Sequence, residues 1–122
     1  MKKFEDYHWH DSIVHNIALD RSNPGYNDTL ELEVEFYHED KRSKLIFEDL
    51  RYLKMDLNFG IVANETILDA MELENSDEDL KNFYSSWNGL FDDIKLRVFL
   101  IDLNSTGSKI KIICESFKVI CT

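Results

Sequence analysis

From Thr29 to Tyr37 apolar and acidic side chains alternate, Leu30, Leu32, Val34 and Phe36 against Glu31, Glu33 and Glu35. Residues two apart share a face only on an extended chain, so this spacing builds a strand with one dry and one wet side. Wound into a helix, the same residues would scatter around the axis. The pattern recurs. Ser12–Leu19 sets Ile13, His15 and Ile17 against Val14 and Ala18. Ile94–Leu103 sets Leu96, Val98 and Leu100 against Lys95, Arg97 and Phe99, and Lys109–Ile120 sets Lys109 and Lys111 against Ile110 and Ile112. Turn-forming runs separate the segments: Asp20–Asp28 around Pro24-Gly25, the polar hairpin connection His38–Arg42, and Asn104-Ser105-Thr106-Gly107.

Two stretches are less regular. After Lys44–Phe47, Leu45 and Phe47 share a phase with Leu53, Met55, Leu57 and Phe59, while Leu50 and Tyr52 fall out of step. A bulge near Asp49 keeps this a strand; a short helix over Phe47–Leu53 is the rival. Thr66–Leu73 fits either strand or helix, with Ile67, Met71 and Leu73 tilting it toward strand. One segment is helical. Ser76-Asp77-Glu78-Asp79 offers an N-cap and acids for the positive end of a helix dipole, Leu80, Phe83, Tyr84 and Trp87 follow at helical spacing, and Gly89 stands where the helix ends. With 122 residues, 43% of them hydrophobic, the chain suffices for one domain, residues 1–122. The expected fold is mainly β, an antiparallel sandwich or curled sheet with one short helix near residues 77–88.

The charge is uneven. Asn64–Asp93 holds nine acids (Glu65, Asp69, Glu72, Glu74, Asp77, Glu78, Asp79, Asp92, Asp93) and one base, Lys81, a local balance of −8 within a net −10. Such a field repels nucleic acid and anionic membrane and attracts a basic protein surface or a cation. Asp77, Glu78, Asp79, Asp92 and Asp93 are the first candidates for contact with a partner. Glu31, Glu33 and Glu35, in one row, are the second; as an exposed row they lack the cleft that paired catalytic carboxylates need. Tyr84 and Trp87 read either as a partner-facing anchor or as the helix's core side. His8, His10, Asp11 and His15 are the only residues whose chemistry and clustering suit a metal, with a hydrogen-bonded His10-Asp11 pair as the bland explanation. No Gly-rich phosphate loop, nucleophile elbow or basic–aromatic interleaving is present, so neither catalysis, a cofactor nor nucleic-acid binding is expected. Phe4-Glu5-Asp6-Tyr7-His8 follows Met1-Lys2-Lys3 where a signal peptide would turn apolar. Cys114 and Cys121 are too few for a disulfide framework and are expected as inert, mostly buried thiols. A cytoplasmic protein is the expectation.

Tyr7-His8-Trp9-His10-Asp11-Ser12-Ile13, opening a first strand, resembles the Trp-His-Asp-Ser start of families of small bacterial β-rich proteins, and Lys44–Leu50 and Asn58-Phe59-Gly60 are similar to later signatures in the same set. Some of these families resemble immunity proteins of polymorphic-toxin systems. The resemblance implies a binding role, neutralising a secreted toxin by direct contact, and carries no catalytic residues. Three functions follow as expectations: an acidic protein-binding module of this immunity type, a metal-binding module or small hydrolase built on His8, His10, Asp11 and His15, and a β-sandwich that holds a small ligand.

Overall fold

The computed structural model describes residues 3–26, 28–37, 39 and 41–121. Asn27, His38 and Asp40, which belong to two of the expected connections, lie outside the described residues. Six strands form, β1 (Ile13–Asp20), β2 (Thr29–Glu35), β3 (Arg42–Asp56), β4 (Ile67–Leu73), β5 (Arg97–Leu103) and β6 (Lys109–Cys121), with one α-helix, α1 (Glu78–Ser86), between β4 and β5. A short 3-10 helix, Phe4–Asp6, precedes them and had no signal in the sequence.

All pairings are antiparallel, in one sheet of order β1-β2-β3-β6-β5-β4. Of the two expected architectures the curled sheet is the one that forms. Its edges meet: Ile13 and Thr66 form an isolated bridge, the Val14 amide donates to the Glu65 carbonyl at 2.8 Å, and the Ile67 amide donates to the Ser12 carbonyl at 2.8 Å. Curling places the dry faces around one interior of Leu30, Leu32, Val34, Leu45, Phe47, Phe99, Ile101, Ile110 and Ile112. Phe4 enters this interior and is fully buried, its ring 4.5 Å from Trp9 and 4.7 Å from Phe99; the Trp9 indole donates to the Phe4 carbonyl at 2.7 Å. The indole N–H thus has a partner where water is excluded.

The irregular stretch 44–59 is a strand for most of its length, and its bulge is where the broken alternation put it. Asp49 takes φ 55°, and Arg51 is the extra residue between the pairs Leu50–Cys114 and Tyr52–Ile113. The insertion restores the inward phase, so Leu53 and Met55 lie beside their register partners Ile112 and Ile110 on the interior face of the sheet. β5 departs from simple alternation. It begins at Arg97 rather than Ile94, and both its faces are covered at the centre: Phe99, Ile101 and Leu103 join the interior, while Leu96 and Val98 with Ile113 form a second cluster beneath Leu80, Phe83 and Tyr84 of α1. The helix cap is Asp77, not Ser76: its carboxylate accepts from the Leu80 amide at 3.2 Å. Cys114 is buried as expected but Cys121 is exposed, and both are free. Among the described residues no helix is long and apolar enough to cross a membrane.

Candidate functional site

The acids of Asn64–Asp93 separate into two groups once their partners are known. Four serve the fold. Glu65 accepts from the Ser105 amide and the Thr106 hydroxyl, tying β4's approach to the β5–β6 turn. Glu72 holds Arg97 through two hydrogen bonds, 2.9 and 2.7 Å, the fork geometry that makes arginine–carboxylate pairs strong. Asp77 and Asp79 both grip the Lys111 ammonium, at 2.8 and 2.6 Å, fastening the start of α1 to β6. Burial by itself would raise the Asp77 carboxyl, but Lys111 and the Leu80 and Asp79 amides outweigh it and hold the group below its ordinary value. Burial likewise opposes the Lys111 charge, and the two carboxylates overcome it, holding the ammonium above its ordinary value.

The second group is different. Asp69, Glu74, Glu78, Asp92 and Asp93 have no cationic partner among the described residues. Asp92 and Asp93 sit on the turn that leaves α1. This turn is built from successive short backbone bonds, Asn88 to Ser85, Leu90 to Trp87, Asp92 to Gly89 and Ile94 to Phe91. Asn88 and Gly89 both take positive φ, 49° and 84°, as a helix C-terminus favours. The positive φ is what favours glycine at 89; an added side chain would in addition crowd the Asp92 carboxylate, at 3.3 Å, which would have to shift slightly. The aromatics fix the rest. Phe91 packs tilted against Phe83 (5.6 Å) and edge-on to Trp87 (5.4 Å) under the Arg51 guanidinium, itself tied to Glu115 at 2.7 Å. Tyr84 is the inward residue of the Tyr84/Trp87 pair: its hydroxyl donates to the Ile94 carbonyl at 2.6 Å and accepts from the Leu96 amide at 3.1 Å. Trp87 and Leu90 remain 49% and 68% exposed. The result is two large apolar side chains on a braced turn beside two free carboxylates. Leu90 and Phe91 were not singled out in the sequence, although Gly89-Leu90-Phe91-Asp92-Asp93 follows Trp87 directly.

Two carboxylates of the acidic row of β2 have cations on a neighbouring strand, and the third has a hydrogen-bond partner. Glu31 faces Lys44 at 3.7 Å, Glu33 faces Arg42 at 2.8 Å, and Glu35 faces His15 at 3.0 Å, each on a neighbouring strand. Cross-strand pairing of this kind answers the charges of Glu31 and Glu33 within the sheet. The histidines disperse. His8 and His10 lie before β1 rather than on a strand face. His8 stacks on Tyr37, and the His10 Nδ1 lies 2.9 Å from the Leu68 carbonyl with Asp11 3.6 Å from its other nitrogen. Among the described residues no three histidine, cysteine or acidic side chains gather as metal ligands would. Comparison with protein-family models, curated proteins and solved structures found no match to this chain.

Proposed function

We propose that this chain is an acidic protein-binding module of the immunity type, docking the turn after α1 onto a cationic protein surface such as a toxin domain. The observation that carries the reading is the juxtaposition of Trp87 and Leu90, which stay 49% and 68% exposed although Trp87 also packs on Phe91, with Asp92 and Asp93, which have no cationic partner among the described residues. Aromatic anchors bordered by charge are how protein interfaces divide their labour: the anchors supply affinity when desolvated, and the charges speed encounter and set specificity. Glu78 and Glu74 extend the negative rim. Asp77 and Asp79 contribute less to the outside field, because Lys111 already answers them. A role for Glu31, Glu33 and Glu35 is likewise diminished by their cross-strand partners. The resemblance to immunity families points the same way, to binding without catalysis.

The test is binding kinetics against the product of a toxin gene neighbouring this chain's gene, at low and high salt. Association should slow as salt rises, since exposed charges beyond a Debye length, about 8 Å at physiological ionic strength, are screened. Asp92→Asn with Asp93→Asn should slow association several-fold, and Trp87→Ala should speed dissociation by about tenfold or more. Glu33→Gln should change neither rate. Binding that ignores salt and all these substitutions would overturn the assignment of this face, and no binding at all would overturn the immunity reading.

A further inference from the structure

The interior face of β5 ends on a charge. Arg97 alternates with Phe99, Ile101 and Leu103, the row that lines the interior, and pairs in register with buried Cys114 of β6. An ion pair at the end of an apolar face seldom adds net stability over apolar side chains of similar size, so Arg97 and Glu72 call for a reason beyond the fold. A half-open cavity of about 600 Å³ adjoins them, a volume in the range of small-molecule sites. Tyr7, Phe117 and Val119, half-buried against the interior, form its apolar wall. Its charged groups are Lys3 and Glu5 at the 3-10 helix, Glu72, Arg97 and Lys118.

Arg97 is held in place with donors left over. Glu72 accepts from its Nε and Nη2, and the guanidinium lies 5.1 Å from the Phe99 ring centre and 5.4 Å from that of Phe117. The end-on edge, Nη1 and the second Nη2 proton, has no acceptor among the described residues. That edge matches a second carboxylate, and its plane is already fixed before one arrives. The remaining charges set the valence. Lys118 is answered by Glu48 at 3.4 Å, whereas the Lys3 ammonium and the Glu5 carboxylate have no ion pair among the described residues. The lining holds three bases against two acids, in a chain of net charge −10. An anion is thus better received here than over most of the surface, and Glu5 favours one of single charge. We propose that this cavity binds a small monocarboxylate with an apolar body. The carboxylate takes the free edge of Arg97, Lys3 adds attraction at the rim, and the body lies against Tyr7, Phe117 and Val119. The site shares no residue with the turn after α1, so it is independent of the docking surface there.

Titration of the full chain with phenylbutyrate, followed by backbone amide shifts, tests this. Butyrate, which lacks the ring, and phenylbutylamine, which reverses the charge, are the matched probes. Phenylbutyrate should saturate with a dissociation constant of about 1 mM or lower, shifting Tyr7, Glu72, Arg97, Phe117 and Val119, and both other probes should bind about tenfold more weakly or not at all. Arg97→Lys keeps a cation beside Glu72 but removes the planar edge, and should weaken phenylbutyrate about tenfold. Two exposed rim substitutions carry opposite signs and leave the fold alone: Lys3→Gln should weaken binding and Glu5→Gln should strengthen it. Trp87→Ala should change nothing. Absence of saturable binding by phenylbutyrate, equal binding of phenylbutylamine, or shifts centred away from this cavity would each overturn the proposal. So would a Glu5→Gln variant that binds no better than the parent chain, even if Arg97→Lys fails to fold.

Discussion

Asp77 performs two tasks at one position, and substitution can separate them. It caps α1 through the Leu80 amide and, with Asp79, neutralises a Lys111 side chain that is only 17% exposed. Because its carboxyl is held below the ordinary 3.8, its contribution to stability is present above that value and is lost as pH falls through the lower folded value. Lys111 works in the opposite direction: held above 10.5, it contributes below that value and is lost as pH rises through its folded value. Asp77→Asn keeps a capping side chain but removes the charge, so urea titrations should show a shallower acid limb below about pH 4 and a lower stability at neutral pH. Asp77→Ala should cost about 1 kcal/mol more, because the cap goes too. Equal stabilities for the two variants would mean that the cap contributes nothing. The thiols give a second measurement at this scale. Burial pushes Cys114 up to about 12, while Cys121 is exposed. A disulfide reagent at pH 8 should therefore titrate one thiol in the native protein and two in denaturant. Rapid reaction of both would contradict the buried placement of Cys114.

Among the elements, α1 depends on what it covers more than on its own propensity. Nine residues are too few for a stable isolated helix, so its stability comes from Leu80, Phe83 and Tyr84 packing on Leu96, Val98 and Ile113. Tyr84→Phe keeps that packing and deletes the hydroxyl between the Ile94 carbonyl and the Leu96 amide. It should cost about 1–3 kcal/mol if both groups stay buried and unpaired, measured by denaturant unfolding. Leu80→Ala should cost about 2–5 kcal/mol. Trp87→Ala, by contrast, should change stability little, since the side chain is half exposed; a large loss would show that Trp87 holds the turn rather than a partner.

Across the whole molecule, the two tryptophans report on opposite environments. Trp9 is 5% exposed in the interior, and Trp87 is 49% exposed at the start of the turn that carries Asp92 and Asp93. Fluorescence quenching should therefore reach only part of the emission, and caesium should quench it more effectively than iodide at low ionic strength, because the carboxylates attract the cation and repel the anion. Added salt should erase the difference, and Trp87→Phe should remove the accessible fraction. Equal quenching by both ions at low salt would mean that Asp92 and Asp93 create no appreciable field at the proposed binding turn.

Alternation alone determined much of this protein. The period-two rows at 29–35 and 109–112 specify strands because an extended chain sends successive side chains to opposite faces, and the break at Asp49 marked a bulge for the same reason. The segment 13–19 is also a strand, but its expected alternation fails: a bulge between Val14 and Asn16 shifts the phase, so Val14 and Ile17, expected on opposite faces, both pack against the interior. The spacing of Leu80, Phe83 and Tyr84 specified the helix. Tertiary structure decided which faces are covered. β5 shows amphipathic alternation, yet α1 and the interior bury both its sides; no local pattern states that a distant helix will land on Val98. The curl that joins Ile13 to Thr66, instead of a second sheet, likewise depends on contact between residues 53 positions apart. Charge divides in the same way. The sequence located nine acids between Asn64 and Asp93, but only the folded chain brings Lys111 to Asp77 and Asp79 and Arg97 to Glu72, leaving Asp69, Glu74, Glu78, Asp92 and Asp93 without a cation among the described residues. Composition counts charges, whereas their availability depends on distances that only the packed molecule sets.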